Sequence, residues 1–311
     1  MVSGSSGSKN STHSRSKSRP TSSVILQRYP RARPPIRTRD TAYPGVVTHA
    51  PVLLSTTSVY PEPTAVGFEL AAELGYDGVE LMVFTDRVSQ DPAAAASLAK
   101  HYGVKIGAVH APCLLVTQRV WSADPWTRLR RSVQAAEYLD SPTVVIHPPF
   151  SWQREYASKF STVLDGLKAR YPHVTIAVEN MFPLKVGKRN LVPYRPHWDP
   201  TRHGYDSYTL DLSHCAASGA DAIAMAQRMG KGLRHIHLCD GNEPGSDQHL
   251  VPGRGKQPCA ELLASLGRTD WDGSITVEVS TRKSGNRTRR AVDLAESLKF
   301  ARDGLAAGRR P

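Results

Sequence analysis

Eight short apolar runs, each followed by a longer segment, constrain this chain more than any other feature. The runs are residues 52–54, 78–83, 104–109, 143–146, 174–178, 208–210, 233–238 and 274–277. They are close to continuous in apolar character and are bounded by polar or glycine positions. Runs of that kind are strands buried on both faces, which is the pattern of parallel strands joined by helices. Between them, residues 68–74 precede Gly75, a residue suited to stopping a helix. Residues 126–139, 220–229 and 291–305 carry apolar side chains at helical spacing. Eight such units in about 250 residues predict an α/β chain closed into a (β/α)8 TIM barrel. An open doubly wound sheet is the alternative. It would carry a glycine-rich phosphate turn after its first strand, where this chain reads Leu54-Ser55-Thr56-Thr57.

The ends of the runs carry the functional signal. The third ends in Val109-His110-Ala111-Pro112 and the fourth in Ile146-His147-Pro148-Pro149. The fifth ends in Val178-Glu179-Asn180 and the sixth in Leu210-Asp211-Leu212-Ser213-His214. The seventh ends in His235-Ile236-His237-Leu238 and runs on to Asp247-Gln248-His249; the eighth ends in Val277-Glu278-Val279. A barrel gathers these ends on one rim, where active sites of the fold are built. Imidazoles and carboxylates are the ligands of zinc, manganese and related divalent ions. Any one of them alone is more often a hydrogen-bonded structural residue, and it is the set that is specific. His235 and His237 share a face of their strand because side chains alternate. His237, nearer the carboxyl end, is the expected ligand, and Glu80 is read as structural or as a support for the ligands.

Net charge does not point to a nucleic-acid partner. The formal charge is +12, but residues 1–40 hold nine Lys or Arg against one acid, Asp40. The remaining chain is nearly balanced, so the basic charge belongs to a tail. Residues 1–45 are rich in Ser, Arg and Pro, and are expected to be a disordered tail in which Val24-Ile25-Leu26 is too small to form a core. Residues 46–311 are the expected barrel. The tail lacks the apolar core of a secretory signal; its composition is like that of a transit peptide, and a solvated tail is the simpler reading. No apolar run reaches the length of a membrane span. The four cysteines, Cys113, Cys215, Cys239 and Cys259, form no CxxC pair, which suits a reducing cytoplasm.

The pieces VHAP, VVIHPPF, AVENMF, TLDLSH, HIHLCDG, DQHLVPGRG and TVEV resemble the xylose-isomerase-like barrel superfamily, which groups sugar phosphate isomerases and epimerases with endonuclease IV. The likeness spans roughly residues 50–305. For the isomerase branch it implies one divalent metal held by Glu179, Asp211, His237 and Glu278, with the two glutamates as acid and base. For the endonuclease branch it implies up to three zinc ions on His110, His147, Glu179, Asp211, His214, His237, Asp247, His249 and Glu278. The first strand departs from the endonuclease pattern, reading STTSVYP where a histidine-containing loop is usual. A duplex binder also needs a cationic surface, which the balanced barrel lacks. The expected function is therefore a metal-dependent sugar or sugar-phosphate isomerase or epimerase working through an enediolate. A multi-zinc phosphodiester hydrolase is the runner-up, with a dehydratase or a non-catalytic binding barrel behind it. Manganese, zinc, magnesium and cobalt all fit such ligands.

Specificity is expected from loops. Residues 182–206 carry Lys185, Lys188, Arg189, Arg195 and Arg202, and Arg254 stands on the turn Pro252-Gly253-Arg254-Gly255. Lys185, Lys188 and Arg254 are the candidate contacts for a small anionic or sugar-like substrate, and Trp121 or Trp126 is a candidate apolar cap. A homo-oligomer is compatible with the sequence, which does not set the oligomeric state.

Overall fold

The computed structural model describes residues 50–186 and 189–309. The tail of residues 1–45 and Lys188 lie outside the described residues. Eight parallel strands close into a barrel: β1 (Val52–Ser55), β2 (Gly78–Met82), β3 (Ile106–His110), β4 (Thr143–Ile146), β5 (Thr175–Glu179), β8 (Tyr208–Asp211), β9 (Leu233–Leu238) and β10 (Ser274–Val277). The two remaining strands, β6 (Leu184–Val186) and β7 (Arg189–Leu191), form a separate antiparallel hairpin on the loop after β5. Helices α1 (Thr64–Leu74), α2 (Pro92–Tyr102), α3 (Pro125–Tyr138), α4 (Arg154–Arg170), α5 (Leu212–Ser218), α6 (Ala222–Met229), α7 (Cys259–Gly267) and α8 (Arg287–Ala307) lie between or after the strands. The expected (β/α)8 barrel is the observed one.

Strand alternation sorts the interior into two layers. Outward residues Val79, Val109, Val144, Ile176, Leu210, Ile236 and Ile275 join Phe68, Leu98, Val133, Phe160, Met225 and Leu298 of the helices in one core cluster. Each such side chain, fully buried, contributes about 1.5–3 kcal/mol. The inward residues differ. Leu53 fills the amino end of the barrel because Gly78 and Gly107 leave room; a β-carbon on Gly107 would stand 2.7 Å from Leu53 Cδ1. Above it the interior turns polar, with Glu80, Thr209, His235 and Thr276 all fully buried.

Helix ends place the rim loops. Gly75 stops α1 with φ 80°, a left-handed turn that a glycine adopts without strain. Asp91, Asp124 and Asp221 cap α2, α3 and α6. Asp211 ends β8 and also caps α5, accepting from the His214 amide. One carboxylate thus fixes both the strand end and the helix carrying His214. No described helix is long and apolar enough to cross a membrane, and all four cysteines are free.

Candidate metal centre

Glu179, Asp211, His237 and Glu278 come from the carboxyl ends of β5, β8, β9 and β10. One ligating atom of each lies within 4.8 Å of the others, and all four residues are buried. His237 Nδ1 is 2.8 Å from Glu278 Oε2, 3.0 Å from Glu179 Oε1 and 3.5 Å from Asp211 Oδ2. On the other side of the ring, Nε2 lies 3.2 and 3.3 Å from the two oxygens of Glu80. A ring nitrogen carries at most one proton, so it satisfies at most one of three carboxylates. If Nε2–H donates to Glu80, the Nδ1 lone pair faces three anions. Three carboxylates and an imidazole lone pair form a donor set that a divalent ion fits.

The other rim histidines repeat the logic, with tautomers inferred from their acceptors. His110 Nδ1 donates to the Ala111 carbonyl at 2.9 Å, which turns Nε2 toward Glu179 Oε2 at 3.3 Å. His147 Nε2 stands 3.0 Å from the same oxygen. Neither ring is angled to make a hydrogen bond, and buried Glu179 Oε2 has no other partner. His214 Nδ1 donates to the Asn180 carbonyl at 2.8 Å, and His249 Nδ1 to the Glu278 carbonyl at 2.8 Å. Their Nε2 atoms face Asp247 at 3.5 and 3.1 Å. For His110, His214 and His249 a backbone carbonyl anchors Nδ1 and turns Nε2 toward a carboxylate, the arrangement that orients metal-binding histidines; His147 Nδ1 has no such partner. His110–His147–Glu179 and His214–Asp247–His249 are therefore two further sets able to hold ions.

The electrostatics express the same shortage of positive charge. Burial would raise the Glu179 carboxyl, but the imidazoles of His237, His147 and His110 hold it well below the ordinary range. Burial would lower His237, yet Glu278, Glu80 and Glu179 hold it well above its ordinary value. His214 is raised against its burial by Asp211 and Asp247, and His249 by Asp247. His147 goes the other way, because burial outweighs its carboxylate neighbour.

Local sequence explains how the loops deliver these groups. Asn180 Oδ1 accepts from the Asp211 amide at 2.7 Å, and Asn180 Nδ2 donates to the Asp211 carbonyl at 3.1 Å, locking the ends of β5 and β8 together. Asp240, buried just past β9, accepts from the amides of Gly241, Gly253, Gly255 and Gln257. A β-carbon on Gly255 would stand 2.2 Å from Asp240 Oδ1, so the PGRG turn needs its second glycine to wrap this carboxylate. His249 sits at φ 45°, a left-handed backbone that costs about 1–2 kcal/mol for a residue with a β-carbon. Its amide donates to Ser213 Oγ and its carbonyl accepts from the Ser280 amide, holding it there.

Some expected residues fall elsewhere. Arg254 is not a free anion contact: the wrap around Asp240 sends its guanidinium to Asp293 and Glu296 of α8. Its partners are distant in sequence, which is why the turn alone suggested otherwise. Lys185 is placed only as a backbone position of β6. Trp121 donates to the Gln90 carbonyl and Trp126 packs edge-on against Tyr156, so neither caps the cavity. The cavity above the ligands, about 360 Å³, takes its apolar wall from Tyr60, Met82, Phe84, Leu114 and Val279 instead. Sequence reading also passed over Thr57 and Arg282, which line it. Thr57 Oγ1 donates to Glu278 Oε1 at 3.3 Å, from the STTSVYP loop that stands out in the sequence for what it lacks, a glycine-rich turn and a histidine.

Residues 68–303 match the family described as xylose isomerase-like TIM barrel, and the chain belongs to it. An uncharacterised protein of Mycobacterium leprae is 48% identical over 271 residues, covering 81% of this chain and 96% of that one. Fructoselysine 3-epimerase of Escherichia coli O157:H7 is 39% identical over 72 residues, 23% of this chain and 26% of its own. A solved D-tagatose 3-epimerase-like protein shares the fold with a TM-score of 0.59 at 22% identity, over 81% of this chain and 98% of its own. Sugar epimerases are thus among the proteins to which this chain is similar.

Proposed function

We propose that this chain is a divalent-metal-dependent isomerase or epimerase of a small sugar-like substrate, with Glu179 and Glu278 as the proton-transferring pair. One observation carries the reading: the two glutamates flank the same His237 nitrogen at 3.0 and 2.8 Å, at the base of a cavity of about 360 Å³. That volume lies within the usual range for small-molecule sites.

Glu179, Asp211, His237 and Glu278 would hold the ion. Manganese, zinc, magnesium and cobalt all accept such ligands, and the ion supplies Lewis acidity that makes a C–H beside a carbonyl easier to deprotonate. One glutamate takes that proton at a carboxylate oxygen and the other returns one, on the same carbon for epimerisation or its neighbour for isomerisation. Thr57 steadies Glu278 through Oε1, while His110 and His147 border Glu179 Oε2. The apolar wall of Tyr60, Met82 and Phe84 excludes water from the transfer. Asp247, His214 and His249 border the substrate space and would orient hydroxyl groups.

The test is exchange of substrate C–H for solvent deuterium across a panel of ketoses and ketose phosphates. Wild type is expected to exchange one position. Glu179→Gln and Glu278→Gln are each expected to slow it about a hundred- to ten-thousandfold. Exchange unaffected by both substitutions would refute the pair.

A second reading rests on the two extra triads, which give ligands for two more ions. Loaded with two or three zinc ions, the same rim suits phosphodiester hydrolysis. Zinc stoichiometry with turnover of an abasic-site DNA duplex would favour it.

A further inference from the structure

The cavity has a cation of its own outside the ligand cluster. Arg282 lines it, four residues beyond Glu278, and is the one Lys or Arg among the described residues that does so. Several arginines nearby are committed elsewhere: Arg254 to Asp293 and Glu296, Arg287 to Glu69, Arg290 to Glu62 and Arg302 to Asp77. Among the described residues no carboxylate pairs with Arg282. Its guanidinium lies 5.2 Å from the centroid of the Tyr60 ring, and that ring meets Phe84 edge-on at 6.0 Å.

The backbone leading to Arg282 is fixed. The Val279 amide donates to Ser58 Oγ at 3.1 Å and the Ser280 amide to the His249 carbonyl at 2.7 Å. Thr281 Oγ1 donates to the Ser58 carbonyl and accepts from Arg290 Nε. An arginine on a pinned loop, stacked on an aromatic face and left without a carboxylate, is prepared for a planar oxyanion. A substrate reaching past the carboxylate-rich base would meet the guanidinium of Arg282 here, the one Lys or Arg among the described residues that lines the cavity.

We infer that Arg282 binds an anionic group, phosphate or carboxylate, at the end of the substrate away from the reacting carbons. This inference rests on the proposed function, whose site it extends. It makes the enzyme selective for a sugar phosphate or sugar acid over a neutral sugar.

The experiment measures binding by calorimetry to the metal-loaded full chain. The probes are D-fructose, D-fructose 6-phosphate and D-fructuronate, which differ only at C6. One charged probe is expected to bind about ten- to a hundredfold more tightly than D-fructose, as charged hydrogen bonds allow. Which one identifies the anion. Arg282→Gln is expected to erase that preference and leave D-fructose affinity unchanged. Equal binding of all three, binding of none, or a preference that survives Arg282→Gln would overturn the inference. Ion content and deuterium exchange, read on the same preparations, show separately whether the proposed function itself fails.

Discussion

Two buried histidine–carboxylate clusters lie on neighbouring levels of this barrel, and they differ in how many carboxylates share one imidazole nitrogen. In the lower one, Glu80 Oε2 is 2.8 Å from His235 Nε2, 3.3 Å from His237 Nε2 and 3.2 Å from Thr276 Oγ1. His235 Nδ1 meets Ser274 Oγ at 2.7 Å, so both its nitrogens are partnered. In the upper one, three carboxylates compete for a single nitrogen of His237. Residue types and burial are alike; the balance of donors and acceptors is not. In the lower cluster one carboxylate meets two imidazoles and a hydroxyl, and Glu80 Oε1 alone is left without a hydrogen bond; the upper one sets three carboxylates on one nitrogen and calls for a cation. The lower level then serves the upper, because Glu80 selects which nitrogen of His237 is offered.

The largest effect that would break this comparison is at Glu80. Glu80→Gln touches no metal-facing atom, yet should weaken divalent-ion affinity about ten- to a hundredfold, as loss of the hydrogen bond that orients a ligating histidine does. Competition against a chromogenic chelator, with circular dichroism to confirm the fold, measures it. Unchanged affinity would make the lower cluster purely structural.

A smaller effect follows from pH. The carboxylates hold the His237 proton above its ordinary range. A folded-state pKa raised in this way means that the proton is retained through pH 6.5 and released as pH rises. An incoming ion must displace it, so affinity should increase between pH 6.5 and 8.5, by at most about tenfold per unit for each proton released. Titrations at three pH values would show it, and a flat profile would contradict the assignment. The smallest effect is at the surface. Arg254→Ala removes half-exposed ion pairs and should lower stability by about 1 kcal/mol or less, with ion affinity unchanged.

The strands were legible because both of their faces are buried, leaving apolar runs with little alternation. Their ends were less so: the third run reads as 104–109, but the strand is Ile106–His110, since the histidine turns inward as part of the ladder. The β6–β7 hairpin went unread, its three-residue strands being too short and polar to show a period. The rim residues were readable from the rule that barrel strand ends converge. What local sequence does not carry is long-range direction. Nothing around Arg254 announces Asp293 and Glu296 on α8, nothing in DG or PGRG alone announces the wrap around Asp240, and nothing near Arg282 announces Tyr60. Imidazole orientation is likewise set by carbonyls, such as Asn180 for His214 and Glu278 for His249, that fold into place from other strands.

The central claim is that the upper cluster holds a divalent ion and the lower one does not. The direct test is elemental analysis of the full chain purified without chelator, beside His237→Ala and His235→Ala variants. The expected result is at least one divalent ion per chain in wild type, lost in His237→Ala and kept in His235→Ala. No bound ion in wild type, even after incubation with excess manganese, zinc, magnesium or cobalt, would contradict the account.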